Sequence, residues 1–299
     1  MSTEAPEARW AAVVVNYEAG PLLLSCVRSL MADESAGAPE IVVIDNGSND
    51  GSADALRREF AQIDVVGAEA NLGYAAAANR GMASTTAPVV LVCNPDVELR
   101  SGTAAAMLAR FDAEAALAAV GPEIRNVDGS TYPSARSEPA VVDALGHGVL
   151  GVIRPRNRFT RRYLQIDADP HLAREVDWLS GAAIFLRRSA LDSIGGWDER
   201  FFMYMEDVDV CWRLRRGGWR IEYEPAGMAT HVQGASTVQR PYRMIIEHHR
   251  SAYRFANKRW RGPRRAFLLP AAVLLTCRAA AALVVRAVGH RPGPRRVSG

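Results

Sequence analysis

Cysteine is scarce in this chain. Cys26, Cys93, Cys211 and Cys277 are the four in 299 residues, and no two are in CxxC spacing. That excludes a disulfide-stapled scaffold and a cysteine-based zinc site, and the thiols read as the reduced thiols of a cytosolic protein. No GxGxxG or GxxxxGK[ST] loop is present, which argues against a dinucleotide dehydrogenase and a P-loop NTPase. The glycine-rich N-terminal phosphate loop of a nucleotidyltransferase is also missing. The opening MSTEAPEARW is polar and acidic, so no signal peptide is expected. Acidic residues are nearly absent from the last stretch, after about residue 259, where arginines accumulate although the net charge of the whole chain is only +3. That asymmetry points to an anionic surface as partner and not to nucleic acid.

What the chain does have is apolar residues, 48% of the total, enough for a sizeable core. Short apolar runs at Trp10–Val15, Ile41–Ile44, Ile63–Val66 and Val89–Val92 read as buried strands. Helical patterns alternate with them: one begins at Pro21, one ends near Phe60, and an alanine-rich one opens at Asn71-Leu72-Gly73-Tyr74. This alternation predicts an α/β fold whose central sheet is mostly parallel, with helices on both faces. Gly102–Ala119 reads as one further helix. Trp219–Tyr223 and Met228–Val232 read as two later strands, the second presenting His231.

In such sheets ligands bind beyond the carboxyl ends of the strands. Three polar clusters fall there: Asn16-Tyr17-Glu18, the run Asp45-Asn46-Gly47-Ser48-Asn49-Asp50, and Asn94-Pro95-Asp96. Each alone is an ordinary turn; three at one edge indicate a site. Ser180-Gly181 interrupts the apolar run VDWLSGAAIFL and permits close approach of a ligand or backbone. Arg154, Arg156, Arg158, Arg161 and Arg162 crowd an irregular stretch, read either as a loop beside an anionic partner or as a solvated basic loop.

The chain is organised around FFMYMEDVDVCWRLRRGGW, Phe201 to Trp219. Glu206, Asp207 and Asp209 fit the positive end of a helix dipole, Asp209 and Arg213 are spaced to pair on the surface, and Gly217-Gly218 ends the helix. The large apolar residues just before the acids suggest that burial raises a carboxylate pKa there. Farther on, Phe267–Val288 is apolar but carries Pro270, Arg278 and Arg286. A central arginine is costly in a spanning helix, so with the flanking arginines this reads as a helix lying in a membrane interface. The alternatives are packing on the domain and a dimer contact.

IVVIDNGSNDGS, NLGYAAAANRG, NPDV, WLSGAAIFLRR and FFMYMEDVDVCWRLRRGGW, in this order, resemble the sequence blocks of inverting family-2 glycosyltransferases with the GT-A fold, over roughly Val13 to Gln233. More narrowly, YPSAR, WLSG, FMYMEDVD and EHHRS resemble the actinobacterial rhamnosyltransferases of cell-wall linker assembly. Those move L-rhamnose from dTDP-rhamnose to N-acetylglucosaminyl-diphospho-decaprenol, on which arabinogalactan is built.

The resemblance and the tail composition together divide the chain into a catalytic domain over residues 1–258 and a basic amphipathic membrane-associating tail over 259–299. The resemblance implies Asp207 as the catalytic base, with Glu206 orienting it or the acceptor; spacing alone does not choose Asp207 over Glu206 or Asp209. A nucleotide-sugar site would use Asn16, Glu18, Asp45, Asn46, Asn71, Gly73, Asn79, Asn94, Asp96, Ser180 and Gly181. Asp45 at a strand end can accept the imide hydrogen of thymine or uracil. Arg136, Trp178, His248, His249 and Arg250 are candidates for the acceptor and its diphosphate. A divalent metal, magnesium or manganese, would sit on Asp96, with Asn94 standing where the family has another acid. His231 follows Asp207 at the spacing of a metal-binding histidine in related galactofuranosyltransferases; it reads equally as a core histidine.

The enzyme implied is peripheral, at the cytoplasmic face of the plasma membrane, with a polyprenyl-diphosphate-linked sugar as acceptor. Another nucleotide-sugar donor such as UDP-galactofuranose or a UDP-hexose, and a non-catalytic lipid- or sugar-nucleotide-binding protein, are the competing readings.

Overall fold

The structure, a computed structural model, describes residues 8–138, 157–158, 161, 165, 167–232 and 241–289. Its strands are β1 (Trp10–Asn16), β2 (Glu40–Asp45), β3 (Asp64–Gly67), β4 (Val89–Cys93), β5 (Val97–Leu99), β6 (Leu117–Asn126), β7 (Thr131–Tyr132), β8 (Ala135–Arg136), β9 (Arg174–Glu175), β10 (Trp178–Leu179), β11 (Ala183–Arg187) and β12 (Arg220–His231). Its helices are α1 (Leu22–Ala32), α2 (Ser52–Glu59), α3 (Tyr74–Ala83), α4 (Thr103–Ala113), α5 (Arg188–Ser193), α6 (Glu206–Arg216), α7 (Pro241–Arg259) and α8 (Leu268–Gly289).

The main sheet runs β3-β2-β1-β4-β11-β6-β12-β5. Its first four strands are parallel, as the alternation predicts. Every residue of β1 is buried, because both faces are covered: Ala11, Val13 and Val15 face one core, Trp10, Ala12 and Val14 the other. That explains its uninterrupted apolar run. The second half is mixed, since β11 pairs antiparallel with both β4 and β6.

Two sequence expectations are corrected. The helix predicted over Gly102–Ala119 ends at Ala113, and Leu117 begins β6. Its alanines, Ala118 and Ala119, are wholly buried in the sheet, so tertiary burial overrides helix propensity. The two strands expected after Trp219 are the single β12, irregular between Glu224 and Met228 where it pairs with β6.

Helix α3 lies close on β1. A Cβ on Gly81 would come within 2.2 Å of Val13 Cγ1, so glycine there sets the interlayer distance. This fixes Tyr74, at the start of α3, relative to the strand ends. Of the basic stretch, only Arg158 and Arg161 lie among the described residues, and Arg161 pairs with Asp167; Arg154, Arg156 and Arg162 lie outside them.

Candidate active site

A cleft of about 390 Å³ opens where β1, β2 and β4 end. Between β1 and β4 the strand order reverses, the place where such sheets bind ligands. Asn16 and Asp45 are register partners on β1 and β2. The Asn16 amide donates to Asp45 Oδ1 at 3.0 Å and Ser52 Oγ at 3.0 Å, while its own Oδ1 is buried without a partner. Glu18, at a left-handed φ of 52°, accepts from the Asn49 amide. Asn46 bridges to the next loop: it donates to Asn71 Oδ1 and the Gly73 carbonyl, and accepts from Leu72 N–H. Gly73, at φ 91°, could not carry a Cβ, which would lie 2.5 Å from the Phe202 carbonyl oxygen. Tyr17, Asn46 and Asn71 line the cleft itself. Asn16, Glu18, Asp45 and Gly73 are tied into the loops that carry them.

Asn79 is placed differently from the expectation. Its amide donates to the Trp197 carbonyl and to Glu199, and its Oδ1 accepts from Trp197 N–H. It fastens α3 to the turn before Phe201 and is not a cleft residue.

Across the cleft, β4 delivers Asn94 and Asp96, and β12 delivers His231. His231 Nε2 is 3.1 Å from Asp96 Oδ1 and 3.5 Å from Asn94 Nδ2. Yet Asp96 Oδ1 has no hydrogen-bond partner, nor has His231 Nδ1, and both side chains are buried. Asp96 Oδ1 and His231 Nε2, at ion-pair distance, can share a cation; Nδ1 is the other ring nitrogen and takes no part in that contact. Among the described residues no third His, Cys, Asp or Glu joins them. Asp96 and His231 are thus, among the described residues, the acidic and imidazole ligands available beside the Asn94 amide.

The acids enter from α6. Before it, Tyr204 and Met205 both take left-handed backbone, φ 66° and 68°. Such conformations cost non-glycine residues about 1–3 kcal/mol each and persist only where the surroundings fix them. Here Ser251 of α7 donates to the Met203 carbonyl, His248 packs edge-on against Tyr204, and the Met205 carbonyl accepts from Asp209 N–H. The double bend turns the first turn of α6 into the cleft, so Glu206 and Asp207 line it side by side.

Burial, and next the neighbouring Asp207, push the Glu206 carboxyl well up, and its Oε2 has no partner. Burial raises Asp207 too, but Gly181 N–H at 3.0 Å and the nearby Arg136 charge oppose the rise. Burial thus raises Glu206 with no hydrogen bond from another residue to offset it, whereas Asp207 has the Gly181 N–H and the Arg136 charge. Asp209 is not on the surface, as its spacing from Arg213 suggested: it is wholly buried and bonds Arg213 Nε at 2.7 Å beneath the site.

The remaining wall comes from β8, β10 and α7. Arg136 stacks on Trp178, 4.7 Å from the ring centroid, and Ser180 lies 3.4 Å from the Tyr132 hydroxyl. His248 reaches the cleft. His249 instead contacts the Ile245 carbonyl, and Arg250 pairs with Glu247 on the surface, so EHHRS brings one of its three candidates to the site. Tyr74, Tyr132 and Tyr204 are cleft residues that the sequence reading did not single out; they sit inside NLGY, YPSAR and FMYMED, where only their neighbours drew notice.

A family model described as "Glycosyltransferase like family 2" matches residues 6–253. An N-acetylglucosaminyl-diphospho-decaprenol L-rhamnosyltransferase of Mycobacterium tuberculosis is 38% identical over 269 residues, covering 85% of this chain and 87% of the relative. Among solved structures, GalNAc-T7 with UDP, GalNAc and Mn2+ aligns with TM-score 0.59 at 13% identity, over 89% of this chain and 50% of that one. The Pyrobaculum calidifontis mannosyltransferase PcManGT with GDP-Man and Mn2+ aligns with TM-score 0.57 at 18% identity, over 98% of this chain and 79% of that one. Those two likenesses speak to the fold. Together with the family model and the M. tuberculosis relative, they establish that the chain belongs to glycosyltransferase family 2, as a glycosyltransferase on a GT-A-type fold.

Proposed function

We propose that this enzyme transfers L-rhamnose from dTDP-rhamnose to a polyprenyl-diphospho-N-acetylglucosamine, in cell-wall linker synthesis. The observation that carries the reading is the 38% identity to the M. tuberculosis rhamnosyltransferase over 85% of this chain and 87% of that one. The cleft chemistry agrees with an inverting displacement. Asp207, held by Gly181 N–H, takes the acceptor hydroxyl proton as that oxygen attacks the anomeric carbon. The bond from that carbon to the diphosphate breaks, and dTDP leaves with the electron pair. Glu206, protonated, donates a hydrogen bond to a sugar hydroxyl. Asn16, Glu18, Asp45, Asn46, Asn71 and Gly73 form the nucleotide end, with Asp45 accepting the thymine imide hydrogen. Asp96 and His231, with Asn94 beside them, would hold magnesium or manganese. When bound, that cation supplies positive charge against the departing diphosphate. Arg136, Trp178 and His248 receive the acceptor.

The catalytic unit is residues 1–258, and residues from 259 on hold it to the cytoplasmic face of the membrane. Gly262–Ala287 is long and apolar enough to cross a membrane, by length and composition, and only 6% of its most apolar window is buried. Its orientation favours lying in the interface. Arg278 and Arg286 fall on the half-buried stripe, whereas Leu269, Val273, Val284 and Val285 point outward, 57–74% exposed. An arginine-free face turned outward suits the acyl boundary, with Arg261, Arg264 and Arg265 at the head groups.

The test is incubation with dTDP-rhamnose, UDP-galactofuranose and UDP-hexoses, each with polyprenyl-diphospho-N-acetylglucosamine, and mass analysis of the lipid. A deoxyhexose increment from dTDP-rhamnose alone is expected. Transfer only from a UDP-sugar would replace the rhamnosyl reading.

A further inference from the structure

Tyr74 lies in the cleft but has no part in the mechanism above. Its hydroxyl donates to the Gly181 carbonyl oxygen at 2.6 Å, and the N–H of the same residue donates to Asp207 Oδ2 at 3.0 Å. Both partners also lie in van der Waals contact with residue 181. A Cβ placed on Gly181 would find Asp207 Cβ at 3.5 Å and the Tyr74 ring at 3.6 Å. Tyr74 is itself held at both ends: its amide donates to the Phe202 carbonyl at 2.8 Å, in the segment that bends into α6, and its ring packs edge-on against Trp197, 5.8 Å between centroids. Tyr74 is buried, with 7% of its surface exposed.

We infer that Tyr74 is a positioning residue for Asp207, acting through the residue-181 backbone. A hydrogen bond received at the Gly181 carbonyl fixes that residue's orientation and so the aim of its N–H at the carboxylate. Linked donors of this kind also strengthen one another, by roughly 10–30% per bond. The N–H matters because it opposes the rise that burial imposes on the Asp207 carboxyl. Burial also pushes the Tyr74 phenol well above its ordinary value, so it remains a neutral donor wherever the enzyme works. The inference rests on Asp207 being the base.

The experiment is the pH profile of kcat/KM for the full chain with a short-prenyl acceptor, for the unaltered protein, Tyr74→Phe and a protein carrying 3-fluorotyrosine at position 74. Loss of the hydroxyl weakens the donor to Asp207. The acid limb of Tyr74→Phe should therefore move to higher pH by about half a unit, a three-fold loss on that limb. The fluorinated phenol is a stronger donor and should leave the limb in place or move it to lower pH. dTDP affinity by calorimetry should be unchanged in both. An acid limb that stays put in Tyr74→Phe overturns the inference, as does an equal upward move for the fluorinated protein, which would report altered packing. If Tyr74→Phe fails to fold, the fluorinated protein decides, and an upward move rejects the idea. Failure of the base assignment itself shows separately, as near-normal turnover in Asp207→Asn.

Discussion

Lys258 Nζ lies 2.6 Å from Asp209 Oδ1 and 2.5 Å from Asp198 Oδ2, so the last turn of α7 is tied to the first turn of α6. Asp209 also holds Arg213, and its carboxylate is wholly buried between the two cations. The same helix α7 supplies Ser251 and His248, which fix the strained bend at Met203–Met205. The charge pairs thus support the placement of Glu206 and Asp207 from below. Lys258→Met leaves Arg213 as the sole partner of Asp209. A hydrogen bond to a charged group contributes about 1.5–3 kcal/mol, and urea unfolding should register a loss of that order. An unchanged midpoint would detach α7 from the stability of the site.

The acids Glu206 and Asp207 make opposite predictions. Asp207→Asn should retain dTDP binding and lose transfer by ~100- to 10,000-fold, the usual contribution of a general base. Glu206→Gln keeps a neutral donor and should lose far less. It should also alter stability. Burial raises the folded-state pKa of Glu206 above its unfolded value, so above the unfolded value the denatured chain is ionised while the native one holds its proton. Stability therefore falls as pH rises from about 4.5 towards the folded value. Glu206→Gln removes that slope, so its stability relative to the parent should be higher at pH 8 than at pH 4. A Gln variant less stable at pH 8 than the parent would mean that the carboxylate is ionised and partnered.

The parallel half of the fold was legible because burial on both faces leaves an unmistakable apolar run, as in Trp10–Val15. The site loops were legible for the complementary reason, since polar clusters at strand ends have no place in a core. β6 was not: Ala118 and Ala119 continue the alanine-rich composition of α4, and only sheet contacts far away in the chain make them strand. Asn79 was misplaced because its fixed partners, Trp197 and Glu199, lie more than a hundred residues away. Asp209 and Arg213 kept the right spacing but the wrong exposure, because Lys258 of α7 meets Asp209 and the Ile194 and Gly196 carbonyls hold Arg213, beyond the reach of local periodicity.

Asp96 and His231 can be tested without turnover. If they hold a cation together, Asp96→Ala and His231→Ala should each weaken dTDP binding in the presence of magnesium or manganese and leave it unchanged in chelator. Asp45→Ala should weaken it in both conditions. Calorimetry with and without chelator separates the two patterns. A histidine that serves only the core would give His231→Ala a lower melting temperature with the same metal dependence as the parent, and would remove it from the ligand set.

The tail makes the last prediction. Trp260 is buried and Phe255 packs into the core against Trp212, so the end of α7 belongs to the folded body. Beyond Arg261 α8 packs one half-buried stripe along α7 and leaves its other face open: Phe267, Leu269, Val273, Val284 and Val285 are exposed, and of the described large residues after Trp260 none is fully buried. The apolar surface there contributes little to the fold, yet apolar surface left in water is unfavourable. A bilayer resolves this, since basic residues near an anionic surface contribute about 1 kcal/mol each and apolar burial adds to that. Truncation after Arg261 should leave a domain that folds, binds dTDP and transfers to a short, soluble acceptor. It should no longer sediment with anionic vesicles and should lose activity on long-chain lipid in them. Salt should weaken vesicle binding of the full chain, because the arginine share of the attraction is screened. A truncated protein that sediments as the full chain does would move the membrane contact to α7, whose Tyr242, Ile246 and Tyr253 are also exposed. One that cannot fold would make α8 part of the core.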